Sequence, residues 1–283
     1  MLKQSSRKFA RFVEILCAAS GFMLKLKTKP HRIVSLAPNV TSILCAIGAR
    51  RQLVGVTRWC PDVADVGKLP LLGDCWRVES IDAIAKLRPS LIVGSVPFHP
   101  DAVRRILEIP AQFLALNPRS LADIESDIQT LALITNRAAN GRRLIRHMRT
   151  EFEKIQRLAA KSAHKPRVYS EAWPNPRISS PPWVSEMVEV CGGKMVPQPG
   201  AKVSDQEVAA AQPDIILLAW AATGNRSNPR KTLSNPLWQK VPAILHQRVF
   251  VIPDELLNTP GPPLIAGARQ IFRILRNHSG ASE

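Results

Sequence analysis

Six tryptophans stand out in a chain that has one tyrosine and eight phenylalanines. Trp59 follows an apolar strand-like run, Trp76 lies in the loop ahead of a helix-like segment, Trp173 closes a strand-like run and Trp220 follows another. Strand ends are where an α/β layer presents side chains to a ligand. Trp59, Trp76, Trp173 and Trp220 are therefore candidates for a ligand surface. The competing reading is plain packing, and it is preferred for Trp183 and Trp238, which sit in helical patterns. His99, in the loop after the run 91–96, brings an imidazole to the same kind of position, where it either meets a ligand or is simply solvated. The other five histidines are dispersed.

Enzyme chemistry finds little in the sequence. There is no GxSxG, HExxH, GxxxxGKS/T or GxGxxG to supply a nucleophile elbow, a zinc site or a phosphate loop, so the expectation is a non-enzyme. A cleft cluster of titratable groups that no motif reveals would reverse it. Five cysteines, Cys17, Cys45, Cys60, Cys75 and Cys191, show no CxxC and no Cys/His spacing for zinc, and no metal site or cofactor is expected. Cys45 and Cys191 fall in apolar helical patterns and read as small core residues. Cys60 and Cys75 fall in loop-like sequence, where an exported protein can close a disulfide.

The formal net charge is +17. Clustered Lys and Arg would suit nucleic acid, but Lys3, Arg7, Lys8, Arg11, Lys25, Lys27 and Lys29 crowd the first 29 residues and the rest are scattered without interleaved aromatics. Solvated surface and attraction to an anionic membrane explain the charge with fewer assumptions, and no nucleic-acid partner is expected. The basic start, the short apolar stretch 12–16 and the small residues Ala18 to Gly21 resemble a secretory signal interrupted by Glu14. Translation from Met23 is the alternative. Hydrophobic residues at 45% and charged residues at 22% are globular proportions, and no run approaches the roughly 18 apolar residues of a membrane span.

The elements that must position these residues follow from periodicity. Short apolar runs at 32–36, 53–57, 91–96 and 112–116 alternate with helix-like segments at 41–47, 80–87 and 101–109, the pattern of an α/β layer with a largely parallel sheet. From 120 to 161 apolar residues recur at three- and four-residue steps without proline, enough for one short and one long helix. The α/β pattern restarts at 167–172, with helices at 183–191 and 205–211, strands at 214–218 and 249–252, and a closing helix at 264–276. The second half repeats the first, the alternative being a chance match, since helix–Pro–strand is a common way to stop a helix. Arg32-Ile33-Val34-Ser35-Leu36-Ala37 resembles Arg167-Val168-Tyr169-Ser170-Glu171-Ala172, and 80–93 with Pro89 resembles 204–217 with Pro213. The organisation expected is a basic segment 1–30, an α/β lobe 31–119, a helical connector 120–161 and a second α/β lobe 162–283.

In order along the chain, Arg32 to Pro38 with Thr41, Leu53-Val54-Gly55-Val56-Thr57, Leu69-Pro70 with Gly73, Glu79 with Ile81, Leu87-Arg88-Pro89, Leu91-Ile92-Val93, and Val203-Ser204 through Gln212-Pro213-Asp214 resemble the helical-backbone periplasmic binding proteins that serve cobalamin, siderophore and haem importers. The resemblance covers roughly residues 30–277. It is nearest the cobalamin-binding branch, through Glu171 to Pro176, Trp183 and Thr259-Pro260-Gly261-Pro262. It implies two Rossmann-like lobes joined by a long backbone helix, the class III arrangement, with the ligand in a cleft that closes only slightly. The implied ligand is a cobalt corrinoid or an iron chelate, held by Trp59, Trp76, Trp173 and Trp220, with His99 in reach of its metal. The implied partners are an ABC permease and its ATPase, for a monomer in the periplasm or on the outer face of the cytoplasmic membrane. In such proteins an acid on each lobe meets basic residues of the permease. Glu79 matches the first position. At the second Gln206 stands where the family carries Glu, leaving the flanking Asp205 and Glu207 as candidates. Without the resemblance, an acid beside a helix start is an ordinary partner of the helix dipole. An intracellular ligand sensor of the same fold is the alternative function.

Overall fold

The structure is a computed structural model, and it describes residues 32–74, 76, 81–221 and 229–278. The signal-like segment with its alternative start at Met23, Cys75, and the docking candidate Glu79 lie outside the described residues.

Two five-stranded sheets organise the chain. In the first, β1 (Ile33–Ser35), β2 (Leu53–Thr57), β3 (Leu71–Leu72), β4 (Leu91–Ser95) and β5 (Gln112–Leu116) are all parallel, in the order β3-β2-β1-β4-β5. In the second, β6 (Arg167–Pro174) is central. Strand β9 (Ile215–Leu218) runs parallel on one side of it, with β10 (Val249–Val251) parallel beyond. On the other side β8 (Lys194–Met195) pairs in parallel with the first two residues of β6, and β7 (Arg177–Ser179) folds back antiparallel on its last residues.

The sequence repeat is a repeat of topology. The order β2-β1-β4-β5 in one sheet corresponds to β8-β6-β9-β10 in the other, every pair parallel. Each central strand leads into a helix with proline in its first turn, Pro38–Ala46 or Pro182–Val190. Each helix stops at a glycine in the left-handed region, Gly48 at φ 77° and Gly192 at φ 87°, where a side chain would be strained. Arg88 and Gln212, the residues before Pro89 and Pro213, also turn at positive φ, 44° and 43°. A non-glycine residue there is uncommon. Its occurrence at the same step of both halves argues against a chance match.

Alternate residues of a strand face opposite sides of its sheet, and three cores follow. Val34 and Ile92 point to an outer core with Ile84 and Ile106. Tyr169, Ile216 and Leu218 point to another with Trp238. Ile33, Leu91 and Val93 from the first sheet and Val168, Ile215 and Leu217 from the second point into a third core. That core is continuous between them through Ile128, Met148, Ile155, Met187 and Ile271.

The connecting region supplies that continuity. The helix Leu121–Ile134 starts at Ser120, whose hydroxyl accepts from the Asp123 amide at 3.0 Å, and stops at Thr135, whose hydroxyl donates back to the Leu131 carbonyl at 2.6 Å. The helix Ala138–Ala159 follows, 22 residues or about 33 Å long, and is the backbone helix. It packs on its predecessor, on Pro182–Val190 and on the closing helix Leu264–His278. Strands β3, β7 and β8 have two or three residues each, too few for alternation to announce them.

Candidate ligand site

Because the strands of the first sheet are parallel, their carboxyl ends share one edge, and the candidate residues of this half collect there. Trp59 follows β2; its amide donates to the Thr57 hydroxyl at 3.3 Å as the chain enters the short turn Cys60–Asp62. The Cys60 thiol is fully buried 3.0 Å from the Thr41 hydroxyl and 3.1 Å from that of Thr57, and it is free. Burial pushes its pKa up, outweighing those two hydrogen bonds. It pins the turn after β2 to the helix Pro38–Ala46, while Cys75, the other half of the expected bridge, lies outside the described residues. Beside it Thr41 donates to Ser35 at 2.8 Å and Asn39 to Ser95 at 3.1 Å, which locks the ends of β1 and β4 together. Past β4, His99 precedes the helix Pro100–Ile106, its Nδ1 4.0 Å from an Asp101 carboxylate oxygen. The Trp76 ring, 57% exposed, stands edge-on to His99 with centroids 5.5 Å apart.

The second sheet presents Trp173 and Trp220 at its own carboxyl edge, in different settings. Trp173 is 39% exposed, and its indole N–H donates to the Asn175 carbonyl at 2.9 Å, which fixes the ring on the β6–β7 turn. Trp220, just past β9, is 8% exposed, and its N–H donates to Glu171 at 2.8 Å. Glu171 is wholly buried, yet its oxygens are satisfied, by Trp220, by the Tyr169 hydroxyl at 2.8 Å and by the Arg177 guanidinium. Arg177 reaches on to Asp205 at 2.8 Å and lies 4.5 Å over the Trp238 ring, whose N–H donates to the Asp205 carbonyl at 2.9 Å. Burial first, then the neighbouring Glu171 carboxylate, raise the Tyr169 pKa. Burial works against the charge on Arg177, but Glu171 prevails and its pKa is raised. Six side chains, Tyr169, Glu171, Arg177, Asp205, Trp220 and Trp238, thus form a cluster under the hairpin that carries Trp173.

Asp205 is engaged by Arg177. Glu207 completes a capping box with Ser204 at the start of the helix Asp205–Ala210, and the Ser204 amide and hydroxyl hold its carboxyl below the usual range. Both acids have local structural partners. Trp183 and Trp238, read as packing, are buried, with the Trp183 N–H donating to the Leu257 carbonyl at 2.8 Å.

The two carboxyl edges adjoin. Asn258 donates to the Ala219 carbonyl at 2.7 Å, at the end of β9. Three residues later Gly261 lies so close to the helix Pro38–Ala46 that a Cβ there would stand 3.3 Å from Ser42 and Ile43. On the connector side the Leu121 amide donates to Glu186 at 2.9 Å, tying the connector to the second lobe.

This geometry, two repeated α/β lobes sharing a helical spine, has a counterpart among known sequences. A family described as periplasmic binding protein matches residues 33–256. The chain belongs to that family. Among the relatives of this binding protein, the vitamin B12-binding protein of Pectobacterium carotovorum subsp. carotovorum is 26% identical over 92% of this chain and 94% of its own length. The uncharacterized ABC transporter substrate-binding lipoprotein YvrC of Bacillus subtilis is 24% identical over 89% of this chain and 82% of its own. A periplasmic heme-binding protein from Pseudomonas aeruginosa superposes with a TM-score of 0.76 at 19% identity, covering 89% of this chain and 94% of that one. The fold of this binding protein is thus the class III arrangement of two lobes on a helical backbone.

Sequence reasoning picked out the exposed indoles by residue type but not the Glu171–Arg177 cluster. Its one available signal was a charge, Glu171, replacing Leu36 of the first half at the end of the otherwise matching strand.

Proposed function

We propose that this periplasmic binding protein captures a corrinoid between the carboxyl edges of its two sheets and delivers it to an ABC permease powered by a partner ATPase. The observation that carries the proposal is the pair of adjoining edges, one bearing Trp59 and Trp76 and the other Trp173. A large flat ligand is held by aromatic area from both sides with few polar anchors, and the B12-binding relative supports the corrinoid choice. In this reading the protein is a monomer, and it works outside the cytoplasm, the location in keeping with relatives named as periplasmic or as a lipoprotein. Docking on the permease engages Glu79 and the Asp205–Glu207 stretch.

One observation favours a second ligand class. The Trp76–His99 pair sets an imidazole beside an exposed indole, an arrangement suited to ligating the iron of haem or another chelate.

Absorption titration of the purified protein with aquocobalamin and with hemin separates the two. The corrinoid reading expects saturable binding of cobalamin and quenching of tryptophan fluorescence. A large aromatic covered by ligand contributes about 1–3 kcal/mol, so Trp76→Ala or Trp173→Ala is expected to weaken binding about tenfold. Hemin binding with a Soret shift lost in His99→Ala, and no cobalamin binding, would replace it with the second reading. Unchanged affinity in both tryptophan variants would place the ligand elsewhere.

A further inference from the structure

The amino-terminal half of the backbone helix carries charge in the arrangement least favourable to a helix. Between Asp127 and Glu151 the sequence has no acidic residue and five arginines. Arg137 occupies the N-cap and the first turn holds no acid. Arg142, Arg143 and Arg146 follow on the exposed side. A helix amino terminus is already partly positive, so cations there oppose the macrodipole. Arg142 and Arg146, one turn apart, also repel each other. Farther along the helix the same exposed side is neutralised. Arg149 is paired with Glu125 at 2.5 Å and Lys154 with Glu151 at 2.7 Å. Among the described residues Arg137, Arg142 and Arg146 have no such partner, and Arg143 donates only to the neutral Asn140 at 3.0 Å.

The patch extends across a second element. Asn140 donates to the Ile47 carbonyl at 2.7 Å, and Gln52 donates to the Thr135 carbonyl at 3.3 Å. These bonds bring the turn Arg50–Gln52, with exposed Arg51, against the start of the backbone helix. Arg50 is only loosely offset by Asp65 at 4.0 Å. This is the amino-terminal edge of the first sheet, opposite the edge that carries Trp59. Ile33 and Leu53 pair there, which sets Arg32 beside the same turn.

We infer that this face, built from Arg51, Arg137, Arg142, Arg143 and Arg146, is a docking surface for an anionic phospholipid bilayer. Charge that costs helix stability and is not neutralised within the fold is retained for an external anion. A cluster of cations without intervening aromatic residues matches a sheet of phosphate headgroups better than the stacked bases of a nucleic acid. The patch lies at the opposite end of the first sheet from the carboxyl edge that carries Trp59, so docking there leaves that edge uncovered.

The test uses the full chain and cosedimentation with vesicles of phosphatidylglycerol and phosphatidylcholine, or of phosphatidylcholine alone, over a range of salt. Binding is expected only to the anionic vesicles and is expected to fall as salt rises. The triple variant Arg142→Gln/Arg143→Gln/Arg146→Gln is expected to bind at least about tenfold more weakly, since each basic group near such a surface adds to the attraction. The charge-matched variant Arg104→Gln/Arg119→Gln/Lys231→Gln is expected to stay within about twofold of the parent. The first triple is also expected to melt no lower than the parent, because it relieves like-charge repulsion. Equal loss in both triples would reduce the effect to net charge, and no loss in the first would assign it to other residues. Either result overturns the inference, as would patch-dependent binding to RNA or DNA without vesicle binding. None of these outcomes depends on which ligand the cleft takes.

Discussion

Glu171 bears the sharpest consequence at the scale of single residues. A carboxylate removed wholly from water is tolerable only when its lone pairs are filled, and Tyr169, Trp220 and Arg177 fill them. Glu171→Ala strands the Arg177 charge with Asp205 alone and takes from the buried Tyr169 hydroxyl its acceptor. Removing one member of a buried pair costs about 3–5 kcal/mol. With Asp205 still in place at 2.8 Å, a loss of about 3 kcal/mol is expected from urea unfolding. A loss below about 1 kcal/mol would mean water or Asp205 takes over the cluster. The same residues mark how far the site was legible. Tryptophan announces itself by type, so Trp76 and Trp173 were nameable from their places beside strands. The role of Glu171 depends on β7, three residues that fold back on β6 and bring Arg177 under it, and no periodicity encodes so short a hairpin.

Gly141 shows at the scale of elements how a local rule and a packing rule compete. Inside a 22-residue helix a glycine reads as a defect, and alanine there gains about 1 kcal/mol of helix propensity. Yet a Cβ at this position would stand 2.5 Å from the Ala132 Cβ of the preceding helix and 3.6 Å from the Ile128 carbonyl. Neither of those atoms is the free end of a flexible side chain, so the helices must separate, and overpacking costs about 1–3 kcal/mol. The overlap is severe enough for packing to win. Gly141→Ala is expected to lower stability, and Ala132→Gly introduced with it is expected to recover most of the loss. Stabilisation by the single variant would show that the crossing has slack. Helices were legible here because the three-and-four spacing runs through 120–161, and their pairing was not, because a small residue facing a small residue leaves no mark in periodicity. The repeat was legible for the opposite reason. It is written twice, and Gly48 with Gly192 and Pro89 with Pro213 fall at matching steps.

Two lobes with separate cores would unfold in turn, as domains commonly do. Here the two outer cores are private to each sheet, but the inner one is shared. It runs from Ile33 and Val93 through Ile128, Met148 and Ile155 to Val168 and Leu217. Unfolding either lobe alone would expose the flank of the backbone helix that the other still needs, so the molecule is expected to unfold in one transition. Two buried thiols report on the lobes separately. Cys60 lies between Thr41 and Thr57 in the first. Cys191 closes the helix Pro182–Val190 in the second, where burial pushes its pKa up to about 12. A thiol so held is scarcely a nucleophile until its surroundings open, so pulse alkylation across a urea series, read by mass spectrometry at each cysteine, dates the opening of each lobe. The expected outcome is one midpoint shared by Cys60, Cys191 and the loss of helical circular dichroism. Midpoints separated by more than about 0.5 M urea would mean that the helix belongs energetically to one lobe and only touches the other, and relative motion of the lobes would then be far less constrained than a continuous core allows.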